Sequence, residues 1–281
     1  MVPAPARFVD LLDRYDGFLF DAYGVLVDAS GARAGAEHAI ARVRAAGKPL
    51  RVVTNDASRL PATAAARFAG LGLAITADEV VSSGQLLAGH VAAAGLAGAR
   101  ALVLGTADAR AWAARAGLDA RAPGEPGADD LDAIVIADDG GFSLRDGLDA
   151  ALTAGARALA RGRALALVCP NPDLVYPRGG DAHGFTAGAL ALMLEAGLRR
   201  LHPAAPAVVY LGKPAPALFE LARAGVGGDA RLVMVGDQLE TDIAGARAAG
   251  LDAALVTGVS RWTPGAAPPD RAPHWLLDDL R

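Results

Sequence analysis

Two stretches decide how this 281-residue chain is read: FLFDAYGVL at Phe18–Leu26 and RLVMVGDQLETDIAGARAAG at Arg231–Gly250. Each opens on a short apolar run that ends at an aspartate, Asp21 in the first and Asp237 in the second. Runs that are apolar without alternation are typical of parallel strands covered by helices on both faces. Similar runs lie at Leu50–Val53, Ala101–Leu104, Ala133–Ile136, Ala164–Val168, Ala207–Leu211 and Ala253–Val256, separated by alanine-rich helical stretches. Strand alternating with helix over the whole length predicts βαβ units, hence an α/β fold with a Rossmann-like doubly wound parallel sheet. Four runs end on a polar group: Asp21, Thr54, Asp237, and Lys213 just past Leu211. Ligands of such sheets bind at the carboxyl ends of the strands, so the four positions predict one site.

Residues 85–184 contain none of these four groups. They have strands of their own, a Pro/Gly-rich turn at Ala122–Asp130 and a loop-rich passage at Pro170–Gly184. This predicts an inserted α/β cap domain over 85–184, interrupting a discontinuous core domain of 1–84 and 185–281. Such an insert is suited to act as a lid and to supply substrate contacts. Hydrophobic residues make up 53% of the chain and charged residues 21%, which excludes a disordered or fibrous class. The net charge of -4, with no basic run, argues against nucleic acid as a partner. The one cysteine, Cys169, rules out a disulfide framework and suits a reducing compartment. There is no basic leader and no apolar run near the roughly 18 residues that span a bilayer. The expectation is a soluble cytoplasmic protein without a membrane partner. A homodimer stays open, because the alanine-rich helices show no seam.

Asp21 ends a strand and is followed by Gly24, which suits a tight loop whose N–H groups cradle a phosphoryl group while the carboxylate attacks it. A turn or cap aspartate is the plainer alternative. Asp237 and Asp242, five residues apart, suit a hard cation such as magnesium, and Asp242 equally suits the first turn of a helix. Thr54 and Asn55 offer a hydroxyl and amides before a helix, an anion-binding arrangement that is common in loops. Of 27 basic residues only Lys48 and Lys213 are lysine. A lysine retained against that drift points to a site needing a compact ammonium; the solvated-turn alternative fits Lys48 better. The five histidines lack metal-ligand spacing. His183 and Asp181 lie near the expected return to the core. Asp138, Asp139, Asn171, Asp173 and Arg178 follow cap strands, where turn chemistry accounts for them as well as substrate contact does. Cys169 reads as a small buried hydrophobe.

With these segments in this order, the chain resembles the haloacid dehalogenase superfamily, and most of all its NagD-like (class IIA) phosphatases. VVSSG (Val80–Gly84), NPDLVYP (Asn171–Pro177) and HGFTAGAL (His183–Leu190) carry the likeness further. The resemblance implies Asp21 as nucleophile, Thr54 and Lys213 as phosphate partners, beside the Asn55 amide already named, and a magnesium ion held by Asp21, the Tyr23 carbonyl and Asp237. Asp242 would be a further ligand or a support to them. The substrate implied is a small phosphorylated metabolite.

One position departs from the pattern. Where the family has a second aspartate as general acid and base, this chain has Tyr23. A phenol, with a reference pKa of about 10, is a poor proton shuttle at neutral pH, and losing such help costs about 10²–10⁴-fold in rate. Asp56 is the nearest substitute acid in the sequence. Two other readings stay open: a phosphate-ligand-binding relative that has lost turnover, and a metal-independent 2-haloacid dehalogenase, whose first motif the DAYG string also resembles. Against the latter stand the acidic Asp237–Asp242 segment, the large insert, and Val25 in place of a usual threonine.

Overall fold

A computed structural model of the chain describes residues 3–128, 130–179, 182–227, 230–260, 263, 265, 268 and 271–281. The chain divides into two compact units, one of residues 1–54, 61–81 and 213–281, the other of 55–60 and 82–212.

The first unit is built on a seven-stranded sheet. Its order is Ala4–Pro5, Trp275–Leu277, Asp252–Val256, Leu232–Gly236, Gly17–Phe20, Leu50–Thr54 and Val80–Ser82. The pairs from Ala4–Pro5 through Leu50–Thr54 are parallel. Gly17–Phe20 and Leu232–Gly236 are buried at every position, as their unbroken apolar sequence requires of central strands. Phe8, Phe18 and Phe20 cluster on one face, with ring centroids 5.4–6.1 Å apart. The helix Ala36–Ala45 adds Ala36, Ala39, Ile40 and Val43, the i, i+3, i+4, i+7 stripe of a one-sided helix. Asp21, Thr54 and Asp237 thus follow or end three neighbouring strands at their carboxyl ends, as expected from sequence.

The second unit has its own five-stranded parallel sheet, in the order Val208–Tyr210, Ala166–Cys169, Ala133–Ile136, Arg100–Leu104 and Asp119–Arg121. Successive side chains go to opposite faces. Leu102, Leu104, Ile134 and Ile136 meet the helix Ala187–Leu201 through Leu190, Leu194 and Leu198. Ala101, Val103, Ala133 and Val135 meet Leu87, Val91 and Trp112 on the other side.

Two expectations change here. Val208–Tyr210 pairs with Ala166–Cys169 and belongs to this second sheet, so Lys213 does not end a strand of the first. The helix 187–201 belongs here too, and the chain re-enters the first unit at Lys213, well beyond the expected 184. The apolar pattern marked these elements as buried and could not say against which sheet. The loop-rich passage also contains a strand pair, Val175–Gly179 antiparallel to Ala182–Phe185. Asp181 lies outside the described residues.

Candidate active site

The centre of the first unit is a buried knot of charge. Lys213, 2% exposed, donates through Nζ to Asp21 Oδ1 at 2.7 Å, to Asp242 Oδ1 at 2.6 Å and to the Val53 carbonyl at 3.0 Å. All three donors of the ammonium are therefore used, in a tetrahedral spread that a planar guanidinium does not have. No sequence pattern singles out Val53: it contributes through its carbonyl, which every residue carries.

Asp242 is fully buried and its other oxygen, Oδ2, accepts the N–H groups of Asp237 and Gln238 at 3.1 and 3.2 Å. It therefore shapes the turn that presents Asp237 while balancing Lys213. Gly236 leaves room for this: a Cβ there would lie 2.3 Å from the Asp242 Cβ. Gly24 does the same for Asp237, since its φ is +102° and a Cβ would lie 2.4 Å from Asp237 Oδ2. The glycines after Asp21 and before Asp237 exist because carboxylates occupy the space of their side chains.

One ligand oxygen from each of Asp21, Asp237 and Asp242 lies within 4.8 Å of the others. Three carboxylates and one ammonium leave two negative charges uncompensated in a buried place, and Asp237 Oδ1 has no hydrogen-bond partner among the described residues. The electrostatics follow. Burial and then Asp242 push the Asp21 carboxyl up to about 7, against the pull of Lys213. Burial, Asp21 and Asp242 raise Asp237 well above the usual carboxylate range. Burial alone would lower Lys213, but Asp21 and Asp242 outweigh it and hold the ammonium charged above its ordinary value. A hard divalent cation with an oxygen-ligand preference fits this set, because it would satisfy the orphaned oxygen and cancel the excess charge.

The other sequence candidates fall as follows. Thr54 is buried at the end of Leu50–Thr54. Tyr23 is partly buried against the first unit's core, in a bridge to Val27. Asn55, also buried, donates from Nδ2 to Asp173 Oδ1 at 3.0 Å within the second unit. Asn171 is a turn former: its Oδ1 accepts the Asp173 N–H, and its Nδ2 donates to Thr186 Oγ1. Asp56 accepts from Ser58 on one oxygen and from Arg59 on the other. Asp138 follows the strand Ala133–Ile136; burial, Asp139 and Asp56 push it up to about 6. Arg178 and His183 are exposed on the strand pair of the second unit. Cys169 is buried, with its thiol raised to about 12 mainly by burial, as a structural cysteine should be. Lys48 is not simply solvated, since its Nζ donates to the carbonyls of Leu12 and Tyr15.

Known proteins similar to this chain show its family. A haloacid dehalogenase-like hydrolase family matches residues 18–119, and a HAD-hydrolase-like family matches 210–281. Human chronophin is 32% identical over 292 residues, covering 98% of this chain and 94% of its own. D-glycerol 3-phosphate phosphatase of Mycobacterium tuberculosis is 36% identical, covering 96% of this chain and 71% of its own. A glycerol phosphate phosphatase from that organism has been solved with calcium and with magnesium. The magnesium form is 32% identical, with a TM-score of 0.75 over 98% of this chain and 77% of that one. A Cytophaga hutchinsonii protein described as a possible sugar phosphatase superposes with a TM-score of 0.81 at 27% identity, covering 99% and 98% of the two chains. No described helix is long and apolar enough to cross a membrane. With relatives above 30% identical along almost its whole length and family models matched at both ends, the chain belongs to the haloacid dehalogenase-like hydrolases.

Proposed function

We propose that the chain is a magnesium-dependent phosphatase of small phosphorylated metabolites, working through an aspartyl-phosphate on Asp21. The observation that carries this is the Lys213 knot, which holds a fixed positive charge against Asp21 and Asp242 beside an orphaned carboxylate oxygen.

Asp21 attacks phosphorus, and the bond from phosphorus to the ester oxygen breaks. The leaving alkoxide or phenoxide takes a proton from water, because Tyr23 stands where relatives have an acid. Water then attacks the acyl phosphate, releasing inorganic phosphate and restoring the Asp21 carboxylate. Lys213 and Thr54 neutralise the phosphoryl oxygens in both steps. Asp21, the Tyr23 carbonyl and Asp237 would hold the metal, with Asp242 keeping Lys213 and the Asp237 turn in place. When bound, magnesium supplies charge for the transferring oxygens and keeps Asp21 ionised near neutral pH. Acidic leaving groups suit the site, because they need the least proton help. The one cysteine, reduced and buried, supports a cytoplasmic location, and a homodimer is the assembly to test by light scattering.

The Tyr23 substitution also favours a second reading, a protein that binds phosphoesters without turning them over. Phosphate release from an aryl phosphate, with magnesium and with chelator, separates the two for wild type, Asp21→Asn and Tyr23→Asp. The phosphatase reading expects metal-dependent release by wild type, none by Asp21→Asn, and a gain of about 10-fold or more in Tyr23→Asp on poor leaving groups. A silent wild type beside an active Tyr23→Asp would establish the binding reading instead.

A further inference from the structure

We propose that Asn55 and Asp173 form a positioning pair that sets the distance between the two places where the chain reaches the phosphate partners, and that the Asn55 side chain is not itself a phosphate ligand. This rests on Thr54 and Lys213 being the groups that meet the phosphoryl oxygens. Asn55 directly follows Thr54, and Gly212 directly precedes Lys213. The buried Asn55 amide reaches across that gap to Gly212 and is held by Asp173. Its Nδ2 donates to Asp173 Oδ1 at 3.0 Å, and its Oδ1 fills the space where a Gly212 side chain would be, 2.3 Å from a Cβ built there.

Each partner is itself held. The Asn55 carbonyl accepts from Ser83 Oγ at 2.8 Å. The Asp173 N–H donates to Asn171 Oδ1, and its carbonyl accepts from the Gly188 N–H at 3.0 Å, which ties the loop to the helix Ala187–Leu201. A Cβ at Gly188 would lie 2.3 Å from the Pro172 carbonyl, so helix and loop meet backbone to backbone. A charge-assisted bond to a carboxylate is about twice as strong as a neutral one, and here it fixes the amide whose other end packs on Gly212, the neighbour of Lys213. Small errors in the placement of positioning groups are costly in rate, so the pair acts on phosphate through its neighbours.

The test compares wild type, Asn55→Asp, Asp173→Ala, Asp173→Asn and the exchanged pair Asn55→Asp with Asp173→Asn. The readouts are kcat and KM for an aryl phosphate, the inhibition constant of inorganic phosphate, and hydrogen exchange of peptides covering 50–58 and 208–216. Asn55→Asp sets two carboxylates against each other, and Asp173→Ala removes the acceptor. Both are expected to weaken phosphate inhibition and raise KM about 10-fold, with kcat falling less, and to speed exchange in both peptides. Asp173→Asn keeps an acceptor and should stay within about threefold of wild type. The exchanged pair, which restores one donor and one acceptor, should recover both readouts. If it behaves no better than Asn55→Asp alone, the Asn55 side chain meets phosphate directly and the proposal is wrong. Should wild type show no turnover, the phosphatase reading fails, and exchange alone decides: faster exchange in the single variants with recovery in the exchanged pair supports the positioning pair, and unchanged exchange overturns it.

Discussion

Asp237 carries a cost in the protein without a metal. Its Oδ1 is buried with no hydrogen-bond partner among the described residues, and its charge adds to that of Asp21 and Asp242. Stability and function therefore pull apart at this residue. Asp237→Asn is expected to raise the urea midpoint in chelator, because a neutral amide replaces a half-buried carboxylate that is pressed to stay protonated. The same change should abolish both turnover and the rise in midpoint that magnesium gives to wild type. A lower midpoint in chelator would mean that Asp237 is a structural acid whose charge the fold already balances. Lys213 was legible from sequence because arginine supplies almost every other positive charge. The role of Asp242 was half legible: its position was clear, but its hold on Lys213 and on two backbone N–H groups is a matter of rotamer.

At the scale of elements, the strands Asp252–Val256 and Trp275–Leu277 are tied together by His274, whose role no sequence pattern marks. His274 Nδ1 accepts the Ala253 N–H at 3.0 Å, and Nε2 lies 3.0 Å from Asp252 Oδ1. Arg247 Nη1 is 2.7 Å from the same Nε2, while Tyr15 also donates to Asp252, beside Arg231. Burial lowers the His274 pKa; Asp252 opposes this and Arg247 adds to it. The folded imidazole thus binds its proton less readily than the unfolded one. Its contribution to stability is complete above the unfolded value of about 6.5 and is lost as pH falls from there toward the lower folded value. Denaturation midpoints of wild type should fall between pH 7 and 5 more steeply than those of His274→Gln. Parallel slopes would show that protonation leaves this strand pair intact. The pairing of Val208–Tyr210 with Ala166–Cys169 belongs to the same scale and was misread, because a buried apolar strand satisfies either sheet equally well.

For the whole molecule, two sheets with separate apolar cores predict two unfolding events, not one. The charged knot lies entirely within the first unit, so a divalent cation should move only that unit's transition. At a magnesium concentration about 100 times its dissociation constant the gain is about 2.7 kcal/mol. Calorimetry with and without magnesium reads this directly; equal shifts in both transitions would show that the units unfold as one.

Sequence alone was enough for the α/β class and for the strand-end positions of Asp21, Thr54 and Asp237. Buried parallel strands leave a continuous apolar signature, and charged residues at their ends stand out against it. Tertiary structure alone decided which sheet takes Val208–Tyr210, where the chain returns to the first unit, and that Asn55 meets Asp173 while Val53 offers its carbonyl to Lys213. These depend on register, rotamer and backbone groups shared by every residue, and a one-dimensional pattern of side-chain types carries none of them.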